Sequence, residues 1–290
     1  MNIVIDPKAG FCPGVRRAVQ KVERMLAEKG EVISAGPLIH NPAELQRLGQ
    51  RGLITESQER LLAPEHLPSL RRRSVFIRTH GLAAAEMRNL LASGAVVEDG
   101  TCPTVHQVQK KIAERDEQGD QIVIVGKKGH AEVAGLVGYG RNCLVIENET
   151  DLHQAVLRDQ VAVFSQTTFD QKLFQELAKK IQQRVAHATV FDTTCSYINR
   201  RRDEMIAFAA SVDVFLLVGG AASSNSHILF EACRRVNERS FKIESTKEIE
   251  DCWFTASDSV GISGGASTPM EQLEEVKRFL LVLSAQWGQS

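Results

Sequence analysis

The chain alternates short apolar runs with longer stretches whose apolar positions recur every three or four residues. MNIVID, QIVIVG, VAVFS and DVFLLVGG are apolar along most of their length. Such runs predict parallel strands covered on both faces, not the alternating strands of a half-exposed sheet. GFCPGVRRAVQKVERML, PTVHQVQKKIAERD and SYINRRRDEMIAFAA have the other pattern, and each follows a strand-like run through a tight turn. They predict amphipathic helices. Repeated strand, loop and helix predict an α/β protein of three similar lobes with parallel sheets.

The cysteines divide the chain the same way. Of six, Cys12, Cys102 and Cys195 lie 90 and 93 residues apart, each in the turn between a strand-like and a helix-like run. This predicts lobes over 1–100 with Cys12, 101–192 with Cys102 and 193–290 with Cys195. Polar residues repeat with them. His40, His130 and Ser223 each follow their cysteine by 28 residues, and His80, Thr167 and Ser267 follow by 68, 65 and 72. In parallel sheets ligands gather beyond the carboxyl ends of strands, where these residues are predicted to stand. Some neighbours have a purely local explanation: Asn41, Thr168 and Thr268 precede helix-start patterns and are predicted caps. Cys143, Cys233 and Cys252 share no interval and are predicted packing residues.

Composition narrows the function classes. The 290 residues carry a formal net charge of -1, without the basic excess of a nucleic-acid binder. The runs Arg71–Arg73 and Arg200–Arg202 are predicted to be solvated faces. No apolar stretch reaches the roughly 20 residues of a membrane span, and the N-terminus lacks the apolar region of a signal peptide. The expected location is therefore the cytoplasm. There, cysteines without a C-x-x-C pair are more often ligands, catalytic groups or packing residues than disulfides.

Three convergent thiolates can hold a metal or an iron–sulfur cluster and leave one coordination position open. Histidines, hydroxyls and amides, here with Ser224 and Asn225 beside Ser223, suit phosphate oxygens. Glu132, two residues past His130, has two readings: a first-turn acid favoured by the helix dipole, or a proton donor whose pKa rises on desolvation.

GFCPGVRRAV, LIHN, THG, GTCPTV, GHAEVAG, SQTT, DTTC, SSNS and GGASTP occur in one order along the chain. In that order they resemble the LytB/IspH family, the 4-hydroxy-3-methylbut-2-enyl diphosphate reductases, from about residue 3 to residue 283. The resemblance implies a pseudo-threefold trefoil of α/β lobes around one 4Fe-4S cluster, with Cys12, Cys102 and Cys195 as ligands and the fourth iron open. It implies diphosphate binding by His40, His80, His130, Ser223, Ser224, Asn225 and Ser267. Glu132 corresponds to the family's proton-delivering acid and Thr167 to the hydroxyl that orders the proton relay. The implied reaction is two-electron reductive dehydroxylation of an allylic diphosphate, with a ferredoxin or flavodoxin as electron donor. A cluster-binding paralogue that senses redox state, or that acts on a different allylic diphosphate, is the alternative; a sensor needs neither Glu132 nor Thr167.

Overall fold

The computed structural model describes residues 1–221 and 223–287. Among them are the strands β1 (Asn2–Ile5), β2 (Val32–Ala35), β3 (Leu53–Glu56), β4 (Ser74–Ile77), β5 (Val96–Asp99) and β6 (Gln121–Val125). The remaining strands are β7 (Cys143–Ile146), β8 (Gln160–Ser165), β9 (His187–Val190), β10 (Val214–Val218), β11 (Ser240–Ile243) and β12 (Ser259–Gly264). They form three four-stranded sheets in the orders β3-β2-β4-β5, β7-β6-β8-β9 and β11-β10-β12-β1. Every pairing is parallel. The three orders are one pattern, with β1 as the edge strand that completes the last sheet.

The strands β2–β5 lie within 1–100, β6–β9 within 101–192 and β10–β12 within 193–290, while β1 joins the sheet of β10–β12. The strands β5 and β9 pair within the sheets of the segments that carry them, and β1 alone leaves its predicted segment. β5 and Cys102 complete the sheet of β2–β4, while β9 and Cys195 complete that of β6–β8. β1 and Cys12 complete the sheet of β10–β12. The reason is that each four-residue strand finds its parallel partner through a crossover, a pairing no local pattern encodes.

The chain divides into two compact units. One comprises Met1–Arg16, Ile39–Arg47 and the chain from Ser196 onward; the other comprises Arg17–Leu38 and Leu48–Cys195. In the second unit β6 is buried at all five positions. Val123 and Val125 pack with Val161, Val163 and Phe174 on one face. Ile122 and Ile124 pack on the other with Ala162, Phe164 and three residues of the helix Pro103–Glu117, namely Val105, Val108 and Ile112. Burial on both faces is why the run QIVIV contains no alternation. Each such aliphatic side chain contributes about 1.5–3 kcal/mol. In the first unit Val214, Leu216 and Val218 of β10 play the same part with Val260 and Ile262 of β12.

One predicted solvated face turns inward. Arg200 is exposed, but Arg201 is buried and its guanidinium donates to Asp6 at 2.8 Å. The same Asp6 oxygen accepts from the Ser263 hydroxyl at 2.8 Å, and the other accepts the Lys8 amide at 2.9 Å. A helix turns one residue in three or four toward the core, so a run of three arginines commits one to a buried partner. Arg71–Arg73 are exposed as expected. Among the described residues no helix is long and apolar enough to cross a membrane.

Candidate functional site

The three cysteine turns share one hydrogen bond. Cys12 donates its backbone N–H to the carbonyl of Ala266 (3.1 Å), Cys102 to that of Thr79 (3.0 Å) and Cys195 to that of Thr167 (2.7 Å). Each acceptor is the second residue past the neighbouring strand, β12, β4 or β8. Each cysteine also immediately precedes a helix: Pro13–Lys29, Pro103–Glu117 or Ser196–Ala209. Cys102 is the N-cap of its helix, with Pro103 in the first turn, and the Cys12 sulfur accepts the Val15 N–H at 3.4 Å. None of the three is in a disulfide, and all are half-buried.

The other cysteines differ. Burial pushes the Cys143 thiol up to about 11 and the Cys233 thiol up to about 12, as packing residues require. Cys252 departs from that expectation: it is exposed, with its sulfur 3.6 Å from Glu250. Its short helical turn Asp251–Trp253 buries none of its residues.

The shared hydrogen bond also corrects the register of the repeat. Thr79, Thr167 and Ala266 occupy the same place, so the counterpart of His80 and Ser267 is Thr168, one residue past Thr167. Similarly Gly36, Gly126 and Gly219 follow β2, β6 and β10, and each donates its N–H to the edge strand beside it, at Glu56, Ile146 and Ile243.

Within the second unit, four of the predicted residues come together. His130 caps the helix Ala131–Val137, and its Nδ1 accepts the Glu132 N–H at 3.2 Å. An accepting Nδ1 leaves the neutral ring's proton on Nε2, a donor suited to phosphate oxygen. The His80 ring meets the His130 ring edge-on, with centroids 5.2 Å apart. Glu132 is only 2% exposed. One of its oxygens accepts the Thr167 N–H at 2.6 Å and the other accepts the Thr167 hydroxyl at 2.8 Å. Burial raises this carboxyl from its ordinary 4.5 to about 7, against the two Thr167 hydrogen bonds, which pull it down. The rise expected on desolvation is therefore present.

Within the first unit, the Ser267 hydroxyl donates to the His40 carbonyl (3.5 Å), and the Asn41 amide donates to the Ser267 carbonyl (3.0 Å). Gly220 closes on the same turn, since a Cβ there would lie 2.6 Å from the His40 carbonyl oxygen. Ser223 caps the helix Ser224–Arg234 by accepting the Ser226 N–H at 3.2 Å. The side chains of Ser224 and Asn225 lie outside the described residues.

Of the predicted caps, Asn41 accepts the Glu44 N–H at 3.1 Å. The cap of the helix Gln171–Gln182 is Asp170, not Thr168, whose hydroxyl accepts from Gln166 instead. The Thr268 hydroxyl donates to the Val218 carbonyl at 2.8 Å, which ties β10 to the loop before the helix Met270–Trp287. Arg78, two residues before His80, carries no motif signal. Its one sequence mark is position: a charge directly after an apolar strand, where the chain is still inside the buried layer.

Three like parallel sheets, each ending in a turn that carries a cysteine, define an α/β protein. The LytB protein family model matches residues 3–281, and the chain belongs to that family. It is 34% identical over 282 residues to the 4-hydroxy-3-methylbut-2-enyl diphosphate reductase of Aquifex aeolicus, covering 96% of this chain and 95% of the relative. A solved structure of (E)-4-hydroxy-3-methyl-but-2-enyl diphosphate reductase, the terminal enzyme of the non-mevalonate pathway, is 34% identical. It superposes with a TM-score of 0.73 over 97% of this chain and 99% of the other. The E-1-hydroxy-2-methyl-but-2-enyl-4-diphosphate reductase from Plasmodium falciparum shares the fold at 19% identity, with a TM-score of 0.82 over 97% of this chain and 87% of the other.

Proposed function

We propose that this protein is an iron–sulfur oxidoreductase that converts 4-hydroxy-3-methylbut-2-enyl diphosphate to isopentenyl and dimethylallyl diphosphates. The reaction removes an allylic hydroxyl with two electrons and two protons, and is the last step of the non-mevalonate isoprenoid route. The observation that carries the reading is the buried Glu132 carboxyl, raised to about 7 and held at both oxygens by Thr167. Family membership supports the same reaction.

The residues fit the cofactor that the reaction needs: Cys12, Cys102 and Cys195 are cysteines outside any disulfide in matching turns, and three thiolates can hold a 4Fe-4S cluster with one iron open. When bound, the cluster supplies the electrons that no side chain can, and a Lewis-acidic iron toward the substrate hydroxyl. The chain's own residues do the rest. His40, His80, His130, Ser223, Ser224, Asn225 and Ser267 bind the diphosphate. Nε2–H of neutral His130 donates to it, because Nδ1 is already committed to the Glu132 amide. Glu132 delivers the proton from a dry position. Thr167 orients it: the backbone N–H fixes one carboxyl oxygen and the hydroxyl guides the other. A ferredoxin or flavodoxin delivers the electrons, and the cytoplasm keeps the thiols reduced.

Anaerobic purification followed by iron and sulfide analysis tests the cofactor. Assay of the hydroxylated diphosphate with a reduced dye tests the reaction. A colourless protein that takes up no iron overturns the cluster assignment. A loaded protein that yields neither isoprenoid product overturns the reaction and favours a redox sensor.

A further inference from the structure

Arg78 is buried, with 8% of its surface exposed. Its guanidinium lies against the backbone of Gly36, where a Cβ would come within 2.7 Å of the central guanidinium carbon. Gly36 also has φ +88°, so glycine is required there by both backbone and space. The Arg78 Nε has no hydrogen-bond partner, and among the described residues no carboxylate pairs with the side chain. Burial alone pulls the group below its ordinary pKa, with no charged neighbour opposing. Arginine stays charged in proteins, so an unpaired buried guanidinium is strongly unfavourable until an anion reaches it.

The other two repeats show how unusual this is. Gln166, the counterpart of Arg78, lies over Gly126 as Arg78 lies over Gly36. Both ends of its amide are used: the oxygen accepts the Lys127 N–H and the nitrogen donates to the Thr168 hydroxyl, each at 2.9 Å. The third counterpart is Gly265, which has no side chain. One niche is therefore filled by a satisfied amide, one is left to backbone, and one holds an unsatisfied cation.

Arg78 belongs to the turn that carries the neighbouring site residues. Its carbonyl accepts the Gly81 N–H at 3.0 Å and closes the turn. Within that turn Thr79 receives the Cys102 amide, and His80 meets His130.

We propose that Arg78 is a further substrate-binding residue whose guanidinium takes the negative charge of the bound diphosphate. The inference rests on the proposed reading of this site as a diphosphate site. It adds a permanent cation to a donor set otherwise made of hydroxyls, amides and titratable rings, and a guanidinium matches phosphate oxygens in pairs.

The test uses the anaerobically purified full chain, with inorganic pyrophosphate as the calorimetric probe. Arg78→Gln weakens pyrophosphate binding by at least about tenfold, the weight of a charge-assisted hydrogen bond, and Arg78→Lys recovers part of the loss. For the allylic diphosphate, KM rises more than kcat falls. Without pyrophosphate Arg78→Gln melts no lower than wild type, because it removes an unpaired buried charge. Unchanged pyrophosphate affinity in Arg78→Gln overturns the inference. So does unchanged affinity with a shifted cluster midpoint potential, which would make the cluster the anion that Arg78 serves. If wild type binds pyrophosphate and turns over while Arg78→Gln binds equally well, this inference alone fails. If wild type does neither, the proposed function falls with it.

Discussion

The turn after β4 and the turn after β8 share a backbone and differ in their chemistry. Both place a glycine of the adjacent strand end, Gly36 or Gly126, beneath the first turn residue. Both present the carbonyl of their second residue to the amide of the following cysteine. In the β8 turn the side chains satisfy one another: Gln166 bonds Lys127 and Thr168, and Thr167 holds both oxygens of Glu132. In the β4 turn Arg78 is buried without a carboxylate among the described residues, and His80 meets His130 edge-on. The scaffold thus repeats because backbone hydrogen bonds do not depend on side chains. The chemistry diverges because side chains do not have to repeat. One turn holds an acid, and the other holds donors and a cation.

The sharpest way to break that contrast is at the acid. Glu132→Gln keeps an oxygen for the Thr167 amide but carries no transferable proton, so turnover falls between about a hundred and ten thousandfold. Iron content stays at the wild-type level. In the wild-type enzyme kcat declines as pH rises through about 7, where the Glu132 carboxyl loses its proton, and Glu132→Gln lacks this limb. The same group has a stability signature. Its folded-state pKa is raised, so its contribution is fully present below the ordinary 4.5 and is lost as pH rises through about 7. Denaturant titrations of wild type and Glu132→Gln across that window measure it.

A smaller effect separates Thr167 from its counterpart Thr79. Thr167→Val removes the hydroxyl that stabilises the carboxylate and leaves the backbone N–H in place. Turnover at neutral pH falls by about tenfold, and the alkaline limb moves to higher pH. Thr79→Val changes neither the rate nor the limb, although Thr79 occupies the same place in its repeat. Equal responses at the two positions would reduce the contrast to packing.

The smallest effect concerns a helix start. Asp170→Ala costs about 1 kcal/mol in urea unfolding, because it exposes the Leu173 N–H that Asp170 now caps. Without that loss the cap returns to Thr168.

Much of this was readable from the chain alone. Fully buried parallel strands are apolar runs whatever their partners, so β6, β8 and β10 stand out in QIVIVG, VAVFS and DVFLLVGG. Cys12, Cys102 and Cys195 stand out because equal turns recur at nearly equal intervals, and Glu132 because a lone acid follows His130. Asn41 was legible as a cap because the Asn-Pro-x-Glu pattern acts within one turn of chain. These are local consequences of period, composition and spacing, and the polypeptide carries them before it folds.

Tertiary structure decided the rest. It paired β1 with β12 and so brought the first strand into the sheet of β10–β12. It made Thr168, not Thr167, the repeat counterpart of His80 and Ser267, turned Arg201 toward Asp6 and, among the described residues, left Arg78 without a carboxylate. Each of these depends on which groups meet across long stretches of chain. A strand's pairing partner, a buried ion pair and an unpaired guanidinium are properties of neighbours in space, and no local pattern of residues contains them.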